Sequence, residues 1–220
     1  MLLAFFVPSV GLSRFGRRRK KQFIDIGKGG ARDAWQVFAN GGVATLCALG
    51  AGFAQSARRP ATARLWIAGF AGAYAAATAD TWGTEIGTLA RGAPRSILTG
   101  RPIPTGLSGG ITGWGTLAEI VGASWIGVCA LAALGPAAAF WPVVAGGVIG
   151  AFADSLLGAT VQELRACPAC ARTCETDPHV CGTPTTLVRG IRGFSNDLVN
   201  FAATVAGAGA ALAAITAGKR

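Results

Sequence analysis

Six of the ten acidic residues stand in or beside strongly apolar stretches: Asp80, Glu85, Glu119, Asp154, Glu163 and Asp197. A carboxylate at the centre of a bilayer costs about 2.5–3.5 kcal/mol on insertion scales, so each demands a cavity, a cation or a partner. Other polar residues fall into register with them. Lys28, Arg32, Gln36 and Asn40 recur at four-residue steps, which in a helix makes one stripe, with the Gly29–Gly30 pair placed to interrupt it. Asp154, Gly158 and Gln162 repeat the step, as do Asn196 and Asn200. Carboxylates, cations and amides gathered on one side are what a site for phosphate and a divalent metal requires. Carboxylates hold Mg²⁺, and Arg and Lys neutralise the oxygens the metal does not reach. The plainer alternative is pairing across helices to fix packing. Three Asp at one depth beside Arg32 and Lys28 favour the site. Glu119 has no matching partner and reads as cavity lining or packing.

Two loops add chemistry. Thr99 to Gly110, containing Arg101, Gly106, Gly109 and Gly110, leads into an apolar segment. Its glycines let backbone N–H groups approach a phosphate, as the N-terminus of a following helix also would. No Gly-Lys-Ser/Thr closes it, so it is not a Walker sequence. Gly109 with Gly113 reads equally as a small-residue helix contact, and Gly146 with Gly150 more simply so. Further on, Cys167-x-x-Cys170 and His179-x-Cys181 offer four zinc ligands, with Cys174 to spare. Four protein ligands leave no open position, so such a zinc would be structural. A redox-active or unliganded thiol cluster is the alternative. Cys47 and Cys129 read as core filling.

The elements that must position these groups follow from composition. Hydrophobic residues make up 51% of the 220, charged residues 14%, and the mean hydropathy is +0.47. A soluble domain carries about 25% charged residues, and a disordered chain far less apolar content. The 33 glycines have no triplet period, which excludes collagen. What remains is an all-α polytopic membrane helix bundle packed through small residues. Five stretches reach the length of about 20 residues that a span needs: 34–57, 65–89, 108–134, 137–160 and 198–217. Leu2 to Leu12 is shorter and reads as an incomplete first helix. The expectation is a single membrane domain over 1–220, with 161–195 as a small Cys/His-rich cytoplasmic loop.

The net charge of +10 would suggest nucleic acid in a soluble protein. Here the cations sit between apolar segments, which points to topology and anionic partners instead. Odd-numbered loops hold fifteen Lys and Arg against five on the opposite side, so the odd loops are expected in the cytoplasm. By helix rise, Asp80 lies about 24 Å and Asp154 about 25 Å from the outer ends of their spans, placing both near the cytoplasmic surface. Asp197 starts its helix at that surface.

These residues resemble a known family. Lys28, Arg32-Asp33-Ala34-Trp35-Gln36 through Asn40-Gly41, then Ala79-Asp80-Thr81-Trp82-Gly83-Thr84-Glu85-Ile86-Gly87, look like successive motifs of the membrane family once called domain of unknown function ninety-two. Asp154-Ser155-Leu156-Leu157-Gly158-Ala159 with Gln162, and Asn196-Asp197-Leu198-Val199-Asn200, complete the series, covering about residues 5 to 205. Plant members of that family are phytyl-phosphate kinases, which pass the γ-phosphate of CTP to an isoprenyl monophosphate. The resemblance implies that Asp80, Glu85, Asp154 and Asp197 meet the metal or the nucleotide phosphates. It implies that Lys28, Arg32, Asn40, Asn196 and Asn200 contact substrate phosphate or nucleotide. Arg101, Gly109, Gly110 and Gln162 are added as binding candidates from the residues themselves. CTP, an isoprenyl monophosphate and Mg²⁺ are thus the expected partners, in a bacterial-type cytoplasmic membrane, with the active site on the cytoplasmic face. A nucleic-acid partner is not expected, and homo-oligomerisation is left open. A CTP:lipid-phosphate cytidylyltransferase would use the same residue types. A transporter coupling through Asp80 and Asp154 is disfavoured by the one-sided acids and the lack of an internal repeat. A scaffold docking through the cysteine loop is the remaining alternative.

Overall fold

A computed structural model of the chain describes residues 1–16, 20 and 33–218. Lys28 and Arg32, expected in the site, lie outside the described residues. The helices to be discussed are α1 (Leu2–Arg14), α2 (Ala34–Ser56), α3 (Pro60–Gly87), α4 (Gly113–Leu134), α5 (Phe140–Thr160) and α6 (Asn196–Ala217). A helix occupies each of the five expected stretches, with edges shifted by a few residues. Local chemistry sets those edges. Asp33 caps α2 by accepting the Gln36 N–H at 2.9 Å, and Thr112 caps α4 by accepting that of Gly115 at 3.0 Å. Pro60 opens α3, where its missing N–H costs nothing.

Helices α2, α4, α5 and α6 are long and apolar enough to cross a membrane. Helix α3 has 28 residues but consists largely of Ala, Gly and Thr and carries Asp80 and Glu85. It is the axis of the bundle and contacts all the others, with α2, α6, α5 and α4 following one another around it and α1 set against α3 and α4. Ala68, Ala71, Ala73, Ala75, Ala76 and Ala79 are wholly buried along it.

The glycine content has its explanation here. A Cβ on Gly146 would stand 2.5 Å from the Gly207 carbonyl oxygen, and one on Gly150 2.4 Å from the Ala76 Cβ. A Cβ on Gly72 would come within 2.7 Å of the same Gly207 oxygen. Helices α3, α5 and α6 therefore touch backbone to backbone. In lipid, where apolar burial drives little association, such contact supplies the packing attraction that holds helices together.

The bundle carries two small sheets that the sequence patterning did not reveal. Strands β1 (Arg95–Ser96) and β2 (Gly110–Ile111) pair antiparallel in the loop before α4. Strands β3 (Leu164–Cys167), β4 (Arg172–Cys174) and β5 (Thr186–Arg189) make an antiparallel sheet in the order β4-β3-β5 within the cysteine loop. Both loops meet at the same end of the bundle, around the cavity described next.

Candidate active site

The chain reverses at each turn, so the N-terminal ends of α2, α4 and α6 and the C-terminal ends of α3 and α5 gather at one end. They enclose a cavity of about 310 Å³. Gln36 comes from α2, Asp80, Thr84 and Glu85 from α3, Gly115 and Glu119 from α4, Asp154 and Ser155 from α5, and Asn196 and Asn200 from α6. The loop from Thr105 to Thr112 closes one side. Three helix N-termini carry partial positive charge toward this space, while carboxylates sit near the C-terminal ends of α3 and α5. Amides and helix starts suit anionic oxygens; carboxylates suit a cation. The cavity offers both.

Five carboxylates line it: Asp80, Glu85, Glu119, Asp154 and Glu175. Among the described lining residues there is no Lys or Arg. Asp154 lies against Asp80 and within electrostatic range of Glu175 and Glu119. Its Oδ2 is buried with no hydrogen-bond donor among the described residues. A buried acceptor oxygen without a donor is open to a cation or a proton. Behind the cavity, Asn40, Asn200 and Thr204 line a small gap together with Asp80 and Asp154. Gly83 makes room for Glu119: a Cβ there would stand 2.6 Å from Glu119 Cγ.

The glycine-rich loop owes its course to Gly109, whose φ is +85° and whose missing Cβ leaves space for Ala159 at 2.5 Å. Ile97 N–H donates to the Gly109 carbonyl at 2.9 Å, tying the loop to its own hairpin. Gly158 permits the same approach from the other side, since a Cβ on it would lie 3.0 Å from that of Ser108.

Several expected residues sit elsewhere. Helix α5 ends at Thr160, so Gln162 lies past its end and is buried; it is not itself a lining residue, but its side chain stays beside Gly158 and reaches the carboxylate of Glu175, which lines the cavity. Arg101 is exposed on the outer part of its loop and does not reach the wall. Asp197, in the first turn of α6, is not among the lining residues, although its neighbours Asn196 and Asn200 are. Glu85 lines the cavity, but its carboxylate accepts the Ser13 hydroxyl and pairs with the Lys20 ammonium, so much of its metal-binding capacity is taken.

Glu175 was not anticipated. It belongs to the cysteine loop, yet its Oε1 accepts the Ser108 N–H at 3.1 Å. Burial holds its carboxyl above the ordinary range, against hydrogen bonding from Ser108. No spacing rule in the sequence ties it to residues so far away. The loop it rides on is braced by Arg165, which donates to Asp177 at 2.6 Å and to the Thr185 hydroxyl at 2.7 Å.

In the same loop Cys167, Cys170, His179 and Cys181 bring one ligand atom each to within 4.8 Å of one another, a cluster able to hold a metal ion. The separations are 3.6 Å between the Cys167 and Cys181 sulfurs, 3.7 Å from Cys170 to His179 Nδ1, and 3.1 Å from His179 Nδ1 to Cys181. Zinc–sulfur and zinc–nitrogen bonds of about 2.3 and 2.0 Å make tetrahedral edges of roughly 3.5–3.8 Å, which these values approach. Contact with the Thr183 hydroxyl, and then with His179, draws the Cys181 thiol down to about 5. Cys174 is buried at the base of the sheet and stands outside the cluster.

Bundle and cavity define a polytopic helical membrane protein with an acidic polar site at one end. The chain belongs to the family described as integral membrane protein DUF92, which it matches over residues 1–208. It is 30% identical to Protein PGR of Arabidopsis thaliana over 225 aligned positions, covering 91% of this chain and 75% of that one. A membrane protein of Methanocaldococcus jannaschii is 36% identical over 74% of this chain and 64% of its own length. A membrane protein of Synechocystis is 29% identical, with 74% and 62% covered, so the chain spans just under two thirds of these two relatives. No solved structure matches.

Proposed function

We propose that this protein is a CTP-dependent kinase that converts an isoprenyl monophosphate to the diphosphate at the cytoplasmic face of the membrane. The observation that supports it is the cavity: five carboxylates, two asparagines and a glycine-rich loop around 310 Å³ in a membrane helix bundle. The family resemblance supplies the substrate class. The preponderance of Lys and Arg in odd loops supplies the face, because the cavity lies at the end where those loops gather.

The donor set fits Mg²⁺, a hard cation that takes oxygen ligands and keeps several waters. Asp80 and Asp154 would hold it, with Glu119 and Glu175 nearby. When bound, it neutralises charge on the transferring phosphoryl group. The chain's own residues do the rest. Asn196, Asn200 and Gln36 present side-chain amides to phosphate oxygens, and the backbone N–H groups of Gly109 and Gly110 approach from the loop. Lys28 and Arg32 are assigned to the phosphate oxygens the cation does not reach. An oxygen of the lipid monophosphate attacks the γ-phosphorus; the bond to the bridging oxygen breaks, and CDP leaves with that electron pair. The nucleophile is already anionic, so no general base is required. The isoprenoid tail is assigned to a groove between Gly- and Ala-rich helices, open to the bilayer. A structural zinc is assigned to Cys167, Cys170, His179 and Cys181.

The test is γ-labelled CTP, Mg²⁺ and a panel of isoprenyl monophosphates with purified protein. Label in a lipid diphosphate with CDP released, abolished in Asp80→Ala, is the expected result. Pyrophosphate release would replace the kinase by a cytidylyltransferase. No turnover and no nucleotide binding would overturn both.

A further inference from the structure

The cysteine loop contains too little apolar surface to order itself. Of residues 161–195, the buried apolar side chains are Leu164, Cys167 and Cys174. A unit of this size without a substantial core needs a staple. Yet its Glu175 occupies a defined place in the cavity wall, joined to the Ser108 amide.

The route between the two is short. Cys167 closes β3, and β3 pairs with β4, which ends at Cys174, the residue before Glu175. On the other side of Glu175, Asp177 accepts from Arg165 of β3 and from the Thr185 N–H at 2.9 Å, and His179 follows two residues later. The four ligand atoms draw β3, the His179 turn and Cys181 together. Glu175 thus sits on a span of chain pinned at both ends by cluster-bearing segments.

We propose that a zinc ion bound by Cys167, Cys170, His179 and Cys181 holds Glu175 in the cavity wall, making the loop a working wall of the site. Glu175 is then a positioning residue: it fixes the Ser108 amide, and through it the glycine-rich loop that faces the phosphates. The proposal rests on the proposed function only for what the cavity binds; the mechanical link from cluster to loop stands on geometry alone.

The experiment uses the full chain in detergent with Mg²⁺ in excess. Metal analysis is expected to find about one zinc per chain. Removing it with a zinc-selective chelator is expected to speed hydrogen exchange in residues 105–112 about tenfold, and Glu175→Ala to do the same with zinc retained. A Cys170→Ser/Cys181→Ser variant gives a second route to the zinc-free state; chelation of the unaltered protein covers the case in which it misfolds. Absence of zinc overturns the proposal, as does zinc loss that leaves exchange in 105–112 unchanged. So does a Glu175→Ala variant with unchanged exchange there. None of these readouts needs turnover, so a failed CTP assay would remove the kinase reading and leave this one standing or falling on its own.

Discussion

The Asp154 carboxylate on α5 lies directly against Asp80 on α3, and both face the same cavity. Two carboxylates in contact within a helix bundle repel unless a cation or a shared proton joins them, and Mg²⁺ in place of the proton binds both oxygens more firmly. Mg²⁺ is therefore expected to raise the melting temperature of the unaltered protein. Asp154→Asn is expected to lose that response while melting no lower than the unaltered protein without Mg²⁺. Turnover should fall at least about a hundredfold, the scale of removing one transition-state charge contact. A variant that keeps both the Mg²⁺ shift and the turnover would show that Asp154 holds no metal.

Glu119 and Gly83 form a second tight pair. Gly83→Ala puts a methyl group 2.6 Å from Glu119 Cγ, and the flexible Glu119 side chain must swing away. The variant is expected to fold, because the obstructed atoms can move, and to show altered Mg²⁺ dependence of turnover. Unchanged Mg²⁺ dependence would confine Glu119 to packing.

The α5–α6 crossing should be far less forgiving. Gly146→Ala drives a Cβ to 2.5 Å from the Gly207 carbonyl oxygen, which is backbone and cannot step aside. A loss of about 1–3 kcal/mol is expected in unfolding measurements in detergent. Gly209→Ala, on α6 beside Gly207 but with nothing within 4 Å, is the control and should be neutral or slightly stabilising. Equal effects at the two positions would contradict the close crossing.

Lys20 and Glu85 pair across the cavity rim, with Ser13 on the same carboxylate. Both side chains are largely shielded, at 15% and 20% exposure, so this pair should count for more than a surface ion pair. A Lys20→Ala, Glu85→Ala double-mutant cycle is expected to give a coupling of about 1 kcal/mol or more. A coupling near zero would mean that the contact contributes nothing to the position of α1.

Much of this was readable from residue types. An acid in an apolar run is conspicuous, so Asp80 and Asp154 announced themselves, and Glu119 stood out as an anomaly. Its counterpart did not, because a glycine that makes room leaves no chemical sign. The stripe of Asp154, Gly158 and Gln162 assumed one continuous helix; α5 stops at Thr160, and Gln162 reaches the site only through Glu175. Glu175 was invisible for a different reason. It sits in a polar loop where an acid is unremarkable, and it meets Ser108 across 67 residues of chain. The pairing of β3 with β4 and the packing of Ser108 and Gly109 on the end of α5 bring them together, and strands of three or four residues leave almost no periodicity to read.

The small-residue character of α3 also bears on how the protein is made. The Ala, Gly and Thr residues that let every neighbour approach this helix are the ones that make it a poor candidate to partition into lipid alone. Only three residues, Ala57 to Arg59, separate it from the more apolar α2. A connection that short makes the two an α-helical hairpin, in which α2 is the member apolar enough to partition and α3 the one covered by α4, α5 and α6. The long helix at the centre of the finished bundle is thus not among those apolar enough to cross a membrane by themselves, so its composition makes it depend on its neighbours.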